Sequence, residues 1–95
     1  DAILTKAQAH RLSIMAHDGL ARAILPSHLS SDGDTMFAAA TGRKPLPAAA
    51  DFSELCHLTT LVTARAIARG VFEAAALPHE DAQPSWQDRF GDARR

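Results

Sequence analysis

With 95 residues, 46% of them hydrophobic, the chain makes one small domain or a piece of a larger one and is too apolar for a disordered segment. Ten basic residues against eleven acidic ones leave a formal net charge of −1, which offers no field for nucleic acid or an anionic membrane surface. Cys56 is the only cysteine, so an internal disulfide and a cysteine metal cluster are excluded, and no apolar run approaches the ~20 residues of a membrane span.

Much of the apolar content is alanine, so the expected core is thin or completed by something else. The chain opens on Asp1-Ala2-Ile3-Leu4 without a methionine, and the expectation is a processed chain or a fragment. The pairs Arg43-Lys44 and Arg94-Arg95 are isolated and read as solvated surface.

The spacing predicts a first helix over residues 5–25. Thr5 and Gln8 have the separation of a capping box, and Leu4 can staple onto Ala9. Leu12, Met15, Ala16, Gly19, Leu20, Ala23 and Ile24 recur at three and four, marking one apolar face that ends before Pro26. Gly19 costs up to ~1 kcal/mol against alanine in a helix interior, so its place on that face predicts a closely approaching neighbour. His17 and Asp18 are adjacent and do not face each other, so they form no obvious dyad. His10 and His17 are two turns apart, too far for a simple helical metal pair. Asp18 and Arg22 are spaced for an intrahelical ion pair.

Residues 27–33 read as a loop in which His28 is a candidate substrate contact, or filler. The loop ends in Ser30-Ser31-Asp32-Gly33-Asp34 and feeds into the apolar run Thr35-Met36-Phe37-Ala38-Ala39-Ala40-Thr41, closed by Gly42. The run predicts a strand over residues 35–41, covered on both faces. If the backbone is already extended at Asp32 and Asp34, the two carboxylates point to one side and share a small volume. Like charges so held need a cation, donors or a shared proton to offset them, which is how a chemical site is commonly built. Asp-Gly is also a common turn dipeptide, and a solvated loop is the plain alternative.

Prolines 45 and 47 exclude a helix from the connector at residues 42–47. A second helix is predicted over residues 51–76, capped by Asp51 with Glu54. Leu55, Leu58, Val62, Ala66, Gly70 and Ala74 form a stripe, beside a seam of Thr59, Thr63, Ala66 and Gly70, and the helix is expected to be largely buried. Cys56 reads as a small packing residue. Residues 78–95 are expected to be an extended or disordered tail, pinned in part by Trp86 and Phe90. The inventory is helix, strand, helix and tail, an α/β arrangement. A lone strand cannot satisfy its own backbone, so the sheet must be completed by another segment or a partner chain.

Two stretches, Met15-Ala16-His17-Asp18-Gly19-Leu20-Ala21-Arg22-Ala23-Ile24 and Asp32-Gly33-Asp34-Thr35-Met36-Phe37-Ala38-Ala39-Ala40-Thr41-Gly42, resemble the carboxy-terminal (β) chain of the self-processing aminopeptidases. That family includes L-aminopeptidase/D-amidase/esterases, β-peptidyl aminopeptidases and 6-aminohexanoate-oligomer (nylon oligomer) hydrolases. The resemblance covers residues 1–77, and the Asp-Gly-Asp form looks closest to the nylon-oligomer branch. It implies a helix–strand–helix piece of a layered α-β-β-α sandwich. It also implies a precursor that cuts itself before a serine or threonine, which becomes the amino-terminal nucleophile. The implied partners are the complementary amino-terminal (α) chain, further copies in a homo-oligomer, and a small peptide or amide substrate, with no cofactor or metal. Asp32 and Asp34 match the two positions that line the nucleophile.

The resemblance implies that the nucleophile lies on a strand a few residues before Asp1; Thr5 is no substitute, because it sits at the helix cap. A terminal amine, with an ordinary pKa of about 8, would serve as base for its own hydroxyl. Asp32 is assigned nearer the hydroxyl and Asp34 nearer the amine, as a coupled pair. The expected compartment is cytoplasmic, with the periplasm as the alternative. Two other readings stand beside this one: a non-catalytic helical module covering a partner's sheet, and a metal site drawn from His10, His17, His28 and His57.

Overall fold

The computed structural model describes residues 1–47 and 51–91, so the Arg94-Arg95 pair lies outside the described residues. Three helices follow in order: α1 (Lys6–Ala23), α2 (Phe52–Glu73) and α3 (Trp86–Phe90).

The start of α1 is fixed by the expected box. The Thr5 hydroxyl accepts from the Gln8 N–H at 3.1 Å, and the Gln8 side-chain oxygen accepts from the Thr5 N–H at 2.9 Å. The helix closes at Ala23 with Ile24 as its cap, slightly earlier than expected. Leu25, preceding a proline, is disfavoured in helical conformation. The Leu25–Pro26 peptide is cis. At α2, Asp51 accepts from the Glu54 N–H at 2.8 Å, but the reciprocal half of a capping box is not formed.

α1 and α2 pack against each other, and the buried residues Ala16, Gly19, Leu20 and Cys56 mark their seam. Gly19 is the point of closest approach. A Cβ placed there would sit 2.5 Å from the Thr60 carbonyl oxygen and 2.7 Å from the Thr63 Cβ. Real Cβ atoms do not come so near, so the absent side chain is what allows the two backbones to meet. The Thr60 hydroxyl adds a cross-helix bond, donating to the Met15 carbonyl at 3.1 Å, with the Cys56 carbonyl of its own helix at 3.4 Å.

The face of α2 in this seam is only partly the predicted one: Thr59 and Thr63 of the expected small-residue seam are in it, and Ala66 and Gly70 are not. Cys56, Thr59, Thr60, Thr63, Ala64 and Ile67 are turned inward, whereas Leu58, Val62, Ala66 and Gly70 are exposed, Val62 at 63%. The physical reason is size, since the Gly19 contact selects small residues opposite it. α2 is therefore covered along one face among the described residues, not largely buried.

The stretch after Leu77 also differs from the extended chain expected. Ser85 and Asp88 form a capping box and start α3. The Trp86 ring lies 5.5 Å from that of Phe72 and 5.6 Å from that of Phe90. Gln87 donates to the Phe72 carbonyl at 3.3 Å. Trp86 does pin this segment, but as the first residue of a helix.

Residues 35–41 have no ladder partner within the described chain, and Phe37 is 92% exposed. Strand pairing occurs just beyond them. Ala2 and Lys44 form a parallel bridge, with the Lys44 N–H donating to the Asp1 carbonyl at 3.0 Å and the Ile3 N–H to the Lys44 carbonyl at 2.8 Å. The Lys44 ammonium lies 3.6 Å from the Asp1 carboxylate. Gly42, at φ +67°, holds the left-handed conformation that kinks the chain before this pairing.

Candidate active site

After Pro26 the chain returns along α1. The Asp32 N–H donates to the Leu29 carbonyl at 2.9 Å, closing a turn with Ser30-Ser31 at its corner. The Asp32 carboxylate then bends back on its own backbone, its Oδ2 accepting from the Asp34 N–H at 3.1 Å. This is the Asx turn that aspartate favours at such positions. Asp32 and Asp34 are thus joined through the backbone of one and the carboxylate of the other.

The same Oδ2 has a second neighbour. His28 Nδ1 lies 3.2 Å from it, and His28 Nε2 lies 2.9 Å from His17 Nδ1. A carboxylate only accepts, so the His28 Nδ1–H donates to it. When His28 is neutral, its Nε2 accepts from the His17 Nδ1–H. The result is a continuous run, His17 to His28 to Asp32, from the buried-face helix to the acidic loop. The Asp32 Oδ1 and the Asp34 carboxylate take no hydrogen bond among the described residues.

Beside this run, residues 35–38 lie along α1 and leave a groove of about 480 Å³ lined by Lys6, His10, His17, Met36 and Phe37 among others. Asp32 and Asp34 both stand exposed at the start of this segment.

Sequence reasoning left His28 as a loop residue that contacts substrate or is filler. The structure puts His28 between His17 and Asp32. His17 pairs with His28 and not with Asp18. The signal was a histidine two turns before a helix end, followed by a proline turn that can bring a second histidine back alongside it. The expected Asp18–Arg22 ion pair is not formed among the described residues. Both line a cleft of about 600 Å³ between α1 and α2, with Arg11 and His57. The four histidines of the metal reading do not converge. His57 faces that cleft, and no group of three or more metal-ligating side chains is arranged around a common point among the described residues. Cys56 is buried in the helix seam, the packing position expected of it.

Residues 1–84 match the sequence profile of peptidase family S58, and the chain belongs to that family. It is similar to proteins named uncharacterized aminopeptidases. In Mycobacterium bovis and Mycobacterium tuberculosis the identity is 41% over 95% of this chain. In Mycobacterium leprae it is 51% over 54% of this chain and 14% of that protein. The chain spans 28% of the length of the first two relatives. No solved structure matches it significantly.

Proposed function

We propose that this chain is the carboxy-terminal portion of a self-processed amide hydrolase. The parent would be an aminopeptidase or amino-acid-oligomer hydrolase whose nucleophile is an amino-terminal serine or threonine upstream of Asp1. The Asp-Gly-Asp motif favours the nylon-oligomer branch. Family membership and the aminopeptidase names of the relatives support the hydrolase over a non-catalytic module.

One structural observation carries the reading: the parallel bridge between Ala2 and Lys44. A chain entering from upstream and continuing in that register would run alongside residues 35–43 and give them the ladder they lack. The residue opposite Thr35 would lie about nine positions before Ala2, or eight to ten if the kink at Gly42 acts as a bulge. A hydroxyl residue placed there would stand level with Asp32 and Asp34. The same strand would begin the sheet of the layered sandwich, with the amino-terminal chain and further copies of the precursor supplying the rest.

In the reaction, the nucleophile's oxygen attacks the substrate carbonyl carbon while its own amine takes the hydroxyl proton. Collapse of the tetrahedral intermediate breaks the C–N bond, and the leaving amine receives that proton. Water then hydrolyses the ester, regenerating hydroxyl and acid. Asp32 orients the hydroxyl and Asp34 holds the terminal ammonium. The oxyanion donors come from the upstream part.

The test uses the full-length precursor. Mass spectrometry of the processed carboxy-terminal fragment is expected to find a serine or threonine eight to ten positions before Ala2. Asp32→Asn is expected to slow self-cleavage about 100-fold or more, and both Asp32→Asn and Asp34→Asn are expected to slow amide hydrolysis by the processed enzyme to a similar degree. Near-normal self-cleavage and amide hydrolysis in both variants removes the acids from the mechanism.

A further inference from the structure

We infer that His17 and His28 are positioning residues for Asp32, acting as a two-histidine strut that aims its free carboxylate oxygen at the nucleophile. The inference rests on the site reading above and extends it to residues outside the acidic pair.

Asp32 lies in an exposed loop, and an unsupported carboxylate rotates freely about its side-chain torsions. Here one oxygen is held from two directions. Asp32 Oδ2 receives the Asp34 N–H at 3.1 Å and the His28 Nδ1–H at 3.2 Å. Two donors on one oxygen restrict how the carboxylate turns and leave Oδ1 without a hydrogen bond among the described residues. His28 would itself be loose on a loop, but His17 Nδ1 meets it at 2.9 Å, with the two rings 5.0 Å apart. His17 sits on α1 between buried Ala16 and buried Gly19, so the strut ends on the packed helix seam. The acid that must meet a nucleophile is thereby referenced to the helix seam through hydrogen bonds, not through its loop. Rigid support of this kind is what reactive geometry needs, since a misplacement of about 1 Å can cost ~100-fold in rate.

The imidazole of His28 makes two different bonds, and two substitutions separate them. Asparagine places an N–H donor near the Nδ1 position and keeps the bond to Asp32. Glutamine reaches the Nε2 position, keeping an acceptor for His17 while giving up the Nδ1 donor. In the full-length precursor, self-cleavage rates and hydrolysis of L-alanine p-nitroanilide by the processed enzyme are compared, with thermal melting as the folding control. His28→Gln is expected to lower the self-cleavage rate and kcat about 10- to 100-fold with KM changed less than about threefold. His28→Asn is expected to recover most of that loss. His17→Ala is expected to fall between them.

In an Asp32→Ala background, adding His28→Gln is expected to cost nothing further, because the strut then has no carboxylate to hold. The inference is overturned if His28→Gln matches the parent while Asp32→Asn is crippled, or if the His28 loss persists undiminished in the Asp32→Ala background. If instead Asp32→Asn retains activity, the underlying site reading fails, and this inference fails with it.

Discussion

The helix seam and the acidic arm are held by opposite means. Between α1 and α2 the fold relies on contact: Gly19 against the backbone at Thr60 and Thr63, with Ala16, Leu20 and Cys56 around it. Residues 26–44 are held by polar links, from His17 through His28 to Asp32, and by the pairing of Lys44 with the amino terminus. Of the large apolar residues of that arm, Phe37 is almost wholly exposed, Leu29 is exposed and Met36 is half-buried. The seam is closed by contacts within the described chain, whereas the arm, on the reading proposed above, would take its sheet from another segment. A rigid base with a sparsely packed acidic edge suits a site completed by another segment.

Four changes would break or sharpen the contrast. Gly19→Val should be the most damaging, because the added atoms meet backbone that cannot move aside. At least ~3 kcal/mol of stability should be lost, read by denaturant unfolding of the purified protein. Val62→Asp probes the bare face of α2. If the rest of the parent protein covers that face, a buried charge should cost about 2 kcal/mol or more and lower the melting temperature, whereas a face left open to water should tolerate it within ~0.5 kcal/mol. Thr60→Val keeps the seam's volume but removes the bond to the Met15 carbonyl, at about 1 kcal/mol in the same unfolding experiment.

The smallest effect concerns α3. The Ser85 hydroxyl, and after it the Ser85 N–H, hold the Asp88 carboxyl below its ordinary value. A lowered folded-state pKa means that the cap's contribution is complete above the unfolded pKa of about 3.9 and fades as pH falls through the folded value. Trp86 fluorescence should therefore hold steady from pH 7 to about 5 and shift only below about pH 4, and Ser85→Ala should abolish that acid step.

What could be read from the sequence was local. Thr5 with Gln8 and Asp51 before Glu54 declared helix starts because caps act within three residues. Gly19 declared a close neighbour because nothing else explains a glycine on a buried face. The inward face of α2 was legible only in part: Thr59 and Thr63 stood in the expected seam, but apolar residues run nearly all round the helix and periodicity cannot choose between them. α3 was missed although Ser85 and Asp88 carried its signature, because five residues are too few for a pattern. The pairing of His17 with His28 needed the return of the chain after Pro26, which no spacing rule supplies. The acidic pair was visible as a motif, but its support from α1 was not.

The amino-terminal bridge has an energetic consequence. Bringing Asp1–Ile3 to Lys44 closes a loop of about 40 residues, for which a flexible chain loses roughly 3 kcal/mol of entropy. A few exposed backbone bonds at about 1 kcal/mol each return little more than that. Alone, the pairing is poised near balance, and the amides of Ile3 and Lys44 should exchange early with solvent. A strand arriving from upstream would add bonds without any new closure cost, so the arm would zip tight only once the proposed upstream strand is in place.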